Sequence, residues 1–241
     1  MKILLNVILF SLLTSGCTKE APMYTEPTID KPLTNPAAKG NYTYLALGDS
    51  YTIGESVKQA ESFPYQLQNL LQAQGKSVAN PKIIAVTGWT TDELQSAIKK
   101  ENLTGTYSFV TLLIGVNNQY RGYPISTYKK EFAELLQTAI AFAGGDKSKV
   151  FVVSIPDWGA TPFGKNSGRD PKTITTEIDN FNTVNQEITL AAGVNYTNIT
   201  PASRNAATDI ALVANDGLHP SGKMYAEWAN ALSTKVADVL K

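Results

Sequence analysis

From residue 40 onward the chain alternates, five times over, between a short apolar run rich in β-branched residues and a longer segment of helical period. The runs predict strands at 42–47, 82–86, 109–114, 150–155 and 195–199. The segments between and after them predict helices over 63–74, 91–101, 127–142, 175–192 and 222–240. A helix between two strands carries the chain across the sheet rather than back along its neighbour, so the strands it joins run parallel. The order βαβαβαβαβα therefore predicts an α/β fold, a three-layer α/β/α sandwich around a central, mainly parallel five-stranded sheet. No internal repeat, coiled-coil heptad or low-complexity tract interrupts the pattern. About 200 residues carry it, a usual size for one domain of this class.

Open sheets of this kind bind ligands beyond the carboxyl ends of their strands. The residues expected there are informative. Ser50 follows the first strand in Gly48-Asp49-Ser50-Tyr51, Gly88 follows the second, Asn117 the third, and Asp216 and His219 lie in the loop before the last helix. His219 is the only histidine in the chain, so any imidazole chemistry runs through it. A serine hydroxyl is a poor nucleophile until a base takes its proton, and an imidazole oriented by a carboxylate supplies that base. Ser50, His219 and Asp216 are the three parts required. Each also has a plain structural reading: Asp216 as a cap for the helix that begins near Pro220, Ser50 as a turn residue closing a strand.

The motifs together resemble the SGNH, or GDSL-type, hydrolases over roughly residues 42–240. Four landmarks occur in order: Gly48-Asp49-Ser50-Tyr51, Thr87-Gly88-Trp89-Thr90-Thr91, Gly115-Val116-Asn117-Asn118, and Asp216-Gly217-Leu218-His219. The resemblance implies the flavodoxin-like fold of that family and a serine ester hydrolase of the carboxylesterase or lipase type, with deacetylation of carbohydrates within its range. It also implies Ser50 as nucleophile, His219 as base, Asp216 as its orienting partner, and an oxyanion hole from the Ser50 and Gly88 amides and the Asn117 side chain. The third landmark of the family more often ends in Asp where this chain has Asn118, a departure that bears on loop packing more than on catalysis. The competing reading is a glycan-binding or partner-binding lipoprotein that uses the same fold without turnover.

No cofactor is expected. The chain has neither a Walker-type glycine loop nor a histidine cluster, and one histidine cannot build a typical zinc site. Lys plus Arg and Asp plus Glu number 21 each, and this balance offers no electrostatic grip on nucleic acid or anionic lipid. The expected partner is a small ester or an acylated carbohydrate or lipid. Trp89, Tyr120, Tyr123, Trp158 and Phe163 lie in strand-exit loops, where they form either a substrate pocket or loop packing. The segment 156–164, rich in Gly and Pro, is the expected substrate-facing loop.

The first sixteen residues read as an export signal: Lys2, then an apolar stretch too short to span a membrane in the ordinary way. Cys17, the sole cysteine, follows Leu13-Thr14-Ser15-Gly16, which resembles the lipobox of bacterial lipoproteins. The alternative is a conventional secretory cleavage site that contains a cysteine. Four prolines at Pro22, Pro27, Pro32 and Pro36 read as an extended tether. The expected organisation is a signal over 1–16, a lipidated Cys17 with its tether to residue 40, and a hydrolase domain over 41–241, held at a bacterial membrane by the lipid alone.

Overall fold

The structure, a computed structural model, describes residues 40–241. The expected signal segment, Cys17 and all of the tether but its last residue lie outside the described residues. Five strands form one sheet: β1 (Tyr44–Gly48), β2 (Lys82–Ala85), β3 (Phe109–Leu113), β4 (Val150–Val153) and β5 (Asn195–Thr197). Their order is β2-β1-β3-β4-β5 and every pairing is parallel. Every residue of β1, β3 and β4 is buried. Burial of consecutive residues, whose side chains point to opposite sides, means that both faces of the sheet are covered.

The covering helices are α1 (Ser50–Ile53), α2 (Phe63–Ala73), α3 (Thr91–Glu101), α4 (Val116–Tyr120), α5 (Ile125–Phe142), α6 (Pro162–Asn166), α7 (Pro171–Ala191), α8 (Thr200–Ser203) and α9 (Gly222–Val239). Helix α2 packs on α9, while α5 packs between α3 and α7. The long helices start where the sequence supplies a cap. Thr90 and Glu93 form a reciprocal capping box at α3, Asp170 accepts the Lys172 and Thr173 N–H groups at α7, and Ser221 accepts the Met224 N–H at α9.

The expected fold class and strand order of appearance hold, and the element ends differ. The first strand starts at Tyr44 rather than residue 42, because Tyr42 makes only an isolated bridge to Val78. The fourth stops at Val153 rather than 155. Beyond it the Ile155 N–H leaves the ladder for Asn182 Oδ1 at 2.8 Å. Helix α7 begins four residues earlier than 175, at Pro171, whose fixed φ and missing N–H suit a first turn. The short helices α1, α4, α6 and α8 carry too few residues to show a period.

Strand β1 lies between β2 and β3, so the chain leaves it on one side and later returns on the other. The crevice this reversal opens at the carboxyl ends of β1 and β3 is where ligands bind in sheets of this order. Ser50 and Asn117 follow those two strands.

Candidate active site

The site is built outward from Gly48, the last residue of β1, which pairs with Leu113 of β3. A Cβ there would lie 2.4 Å from the Leu113 carbonyl and 2.1 Å from Thr52 Oγ1, so only glycine fits. The next residue, Asp49, is fully buried and caps α1 by accepting the Tyr51 N–H at 3.0 Å. Its second carboxylate oxygen has no partner among the described residues. Burial pushes the carboxyl up to about 7, against the lowering effect of the Tyr51, Asp49 and Gly115 backbone groups. Ser50 follows as the first residue of α1, 4 % exposed. Its backbone N–H donates to no described residue.

The loop after β2 turns at Gly88, whose φ is +89°. Arg121 Nη2 takes the Gly88 carbonyl at 2.6 Å and Arg121 Nη1 pairs with Glu93 at 3.2 Å. These contacts fix the turn and leave the Gly88 N–H without a described partner. The loop after β3 turns at Gly115, with a φ of +127°, and opens α4. Asn117 Nδ2 donates to the Trp89 carbonyl at 2.9 Å, which uses one of its two amide hydrogens. Three N–H donors, on Ser50, Gly88 and Asn117, are thus unspent on three neighbouring strand exits.

Asn118 is buried and uses both ends of its amide on Thr91, the first residue of α3: Oδ1 accepts the Thr91 N–H at 3.1 Å and Nδ2 donates to Thr91 Oγ1 at 2.7 Å. Thr91 Oγ1 in turn donates a hydrogen bond to the Glu131 carboxylate. An ionised carboxylate could not donate to a hydroxyl that is already a donor elsewhere, which gives the asparagine a local packing role.

Asp216 and His219 meet closely. His219 Nδ1 lies 2.5 Å from Asp216 Oδ2, while Asp216 Oδ1 accepts the backbone N–H groups of Leu218 and His219, each at 2.9 Å. Ser56 Oγ donates to the same Oδ2 at 2.6 Å. Burial opposes the Asp216 charge, but the Ser56 hydroxyl, the His219 ring and the two backbone N–H groups outweigh it and hold the carboxyl down to about 2. An ionised carboxylate only accepts, so the neutral imidazole carries its proton on Nδ1 and leaves Nε2 free. The imidazole is mostly buried, its centre 5.7 Å from the centre of the Tyr51 ring and the two planes steeply inclined. No hydrogen bond joins Ser50 Oγ to His219 among the described residues. The Ser50 turn reaches the His219 loop instead through Tyr51 and through Ser56.

Of the five aromatic residues singled out in the sequence, three come together. Tyr120 and Phe163 flank Trp158 with ring centres 5.4 and 6.0 Å from it. Tyr120 is 51 % and Phe163 38 % exposed, whereas Trp158 is buried, its Nε1 donating to Gln119 at 2.8 Å and its ring beneath Arg169. Trp158 supports the exposed pair from beneath and lines a small recess together with Tyr51 and His219. The Phe163 N–H bonds the Gly217 carbonyl at 2.9 Å, which places that ring beside the Asp216–His219 loop. Trp89 is partly buried and shares the Asn117 contact through its carbonyl. Tyr123 joins none of these rings and closes its turn through a backbone bond to Asn118.

Sequence reasoning missed Ser56, Asp49 and Arg121. For Asp49 a signal existed, since Asp before a helix start is a common cap. Ser56 and Arg121 act on residues distant in sequence, and no local pattern marks them.

The sequence profile of the GDSL-like lipase/acylhydrolase family matches residues 46–227, a span that contains Ser50, Gly88, Asn117, Asp216 and His219. No curated protein sequence matches this chain. Solved structures do. A lipase/acylhydrolase from Enterococcus faecalis is 20 % identical with a TM-score of 0.66, over 83 % of this chain and 97 % of that one. The acetylxylan esterase Axe2 from Geobacillus stearothermophilus is 16 % identical with a TM-score of 0.64, over 83 % and 95 %. The psychrotrophic esterase EstA from Pseudoalteromonas sp. is 17 % identical with a TM-score of 0.57, over 82 % and 98 %. At such identities the structural likeness is one of fold, and it is the profile match over most of the sequence that shows the chain to belong to the GDSL-like lipase/acylhydrolase family.

Proposed function

We propose that this chain hydrolyses esters of small acyl groups by two-step acyl transfer through Ser50, His219 and Asp216. The observation that carries the reading is the 2.5 Å contact between Asp216 and the only imidazole in the chain, within a family of acylhydrolases. Ser50 Oγ attacks the ester carbonyl as His219 Nε2 takes its proton. The proton then goes to the departing alkoxide, which leaves as the alcohol. Water attacks the acyl-serine in the same way, His219 returns the proton to Ser50, and the acid departs. Asp216 keeps the ring in the tautomer the first step needs. The N–H groups of Ser50, Gly88 and Asn117 receive the charge that develops on the carbonyl oxygen. Ser50 and His219 are not hydrogen-bonded before substrate arrives, and a catalytic bond that tightens only in the substrate complex is common.

The exposed rings of Tyr120 and Phe163 favour an alcohol part with a flat or ring-shaped face, such as a sugar. Acetylated xylan, the substrate class in the name of the Axe2 esterase, therefore belongs beside simple acetyl and long-chain esters in the first assay. The apolar stretch after Lys2 and the Leu13-Thr14-Ser15-Gly16-Cys17 sequence support a reading as a membrane-anchored bacterial lipoprotein, with the lipid on that cysteine as its anchor.

A fluorophosphonate probe and an ester panel test the mechanism. The expected result is labelling at Ser50 and loss of turnover in Ser50→Ala and in His219→Ala, with the double variant little worse than either, since nucleophile and base act as one unit. Asn117→Ala should lower kcat by about 10²–10³ with a smaller effect on KM. A folded His219→Ala protein that turns over at nearly the parent rate would sink the mechanism. Intact protein that is never labelled and hydrolyses nothing would point to a binder.

A further inference from the structure

Between α1 and the next helical turn the chain makes a tight turn over residues 54–57, closed by the Val57 N–H on the Gly54 carbonyl at 3.3 Å. Its third residue, Ser56, has a φ of +65°. Turns with a positive φ at that position favour Gly or Asn, and a serine there is strained. What the serine adds is its hydroxyl. Ser56 Oγ reaches Asp216 Oδ2 at 2.6 Å, across 160 residues of sequence. That oxygen is also the one facing His219 Nδ1, while the two backbone N–H groups occupy Oδ1. Asp216 is 30 % exposed in its side chain, so water competes for Oδ2, and Ser56 is the protein donor that fills this side of it. The preceding residue, Glu55, accepts a bond from Thr87, next to Gly88. One turn thus touches both the loop of the acid–base pair and the loop of an oxyanion donor.

We infer that Ser56 is a positioning residue, whose hydroxyl holds the Asp216 carboxylate on His219 and fastens the Ser50 turn to the loop that carries the pair. The inference rests on the esterase reading above. Ser56 transfers no proton and meets no substrate. Without its hydroxyl the carboxylate turns toward water, His219 loses its fixed orientation, and the transition state loses more than the bound substrate does.

Two substitutions separate the hydroxyl from the turn. Ser56→Gly removes the donor and relieves the positive φ, while Ser56→Ala removes the donor and keeps the strain. With the full chain and p-nitrophenyl acetate, both should lower kcat about tenfold and leave KM within about twofold of the parent. The Tm of Ser56→Gly should not fall. Because the chain has one histidine, the downfield Nδ1–H proton resonance belongs to His219 without ambiguity, and it should shift or broaden in both variants. A role confined to shaping the turn is rescued by glycine, so a folded Ser56→Gly protein with the parent kcat overturns the inference. A loss of kcat with the resonance unmoved also overturns it. If the parent hydrolyses no ester and Ser50 takes no probe, the esterase reading fails, and the resonance comparison still decides whether Ser56 holds Asp216.

Discussion

Two carboxylates near Ser50 are driven in opposite directions by their surroundings. Asp216, met by four donors, is held down to about 2, whereas Asp49, buried with one oxygen unpartnered, is pushed up to about 7. Three tyrosines feel the Asp49 charge, namely Tyr51, Tyr128 and Tyr225, all of them raised by burial. In an unfolded chain an aspartate titrates near 3.9. Between that value and about 7 the folded state holds the proton that the unfolded state has lost. The contribution of Asp49 to stability is therefore fully present below about pH 4 and is lost as pH rises through 7. The difference in Tm between the parent and Asp49→Asn, followed by circular dichroism from pH 5 to pH 8, should move in favour of the variant as pH rises. Parallel curves would show that Asp49 does not titrate there. The Asp216–His219 contact was legible in the sequence because one histidine leaves one candidate base, with an aspartate three positions before it. Ser56 was not legible, since its role exists only once the fold brings residue 56 to residue 216.

At the scale of elements, pattern sufficed to name each long segment, because every long helix buries one stripe while the central strands, covered on both faces, read as unbroken apolar runs. Ends were less legible. They depend on side chains that intercept backbone groups from afar, as Asn182 does at Ile155, and a sequence window does not contain the partner. The join between β3 and α4 shows how closely an element end is specified. Gly115 turns there with a φ of +127°, and a Cβ would stand 2.5 Å from the ring of Tyr128 on α5. Tyr128 is itself fixed from below, by the Ile114 carbonyl that accepts its hydroxyl at 3.2 Å and by the amide of Asn185 at 3.1 Å. The ring has no room to retreat. Gly115→Ala should cost about 3 kcal/mol, a fall in Tm of roughly 6–12 °C. It should also lower kcat, since Asn117 stands two residues on. Calorimetry and ester turnover of the variant check both, and an unchanged Tm would mean that α5 shifts to make space.

For the whole molecule, the N-terminal region and the domain make separate demands. If Cys17 carries the lipid, Cys17→Ser should move the protein to the soluble fraction while turnover per molecule stays at the parent value. Stable attachment requires two or more anchoring signals, and a multiply acylated cysteine meets that need. Mass spectrometry of the native N-terminus decides the matter: an unmodified start at another residue, in soluble protein, would end the lipoprotein reading and leave the esterase reading untouched. Within the domain, the fold class and the strand exits that carry the candidate site were legible because they follow from the same alternation, whereas the surroundings of that site were not, because they lie in the packing of loops. This division of labour in an all-parallel sheet accounts for the low identities of the solved structures that share its shape. A core that asks for apolar volume tolerates almost any rearrangement of Leu, Ile, Val and Phe. The chemistry sits on loops hung from one end of it. What such a molecule keeps is therefore an arrangement and not a spelling, and a new diet can be acquired by rewriting a loop while the architecture stands unchanged behind it.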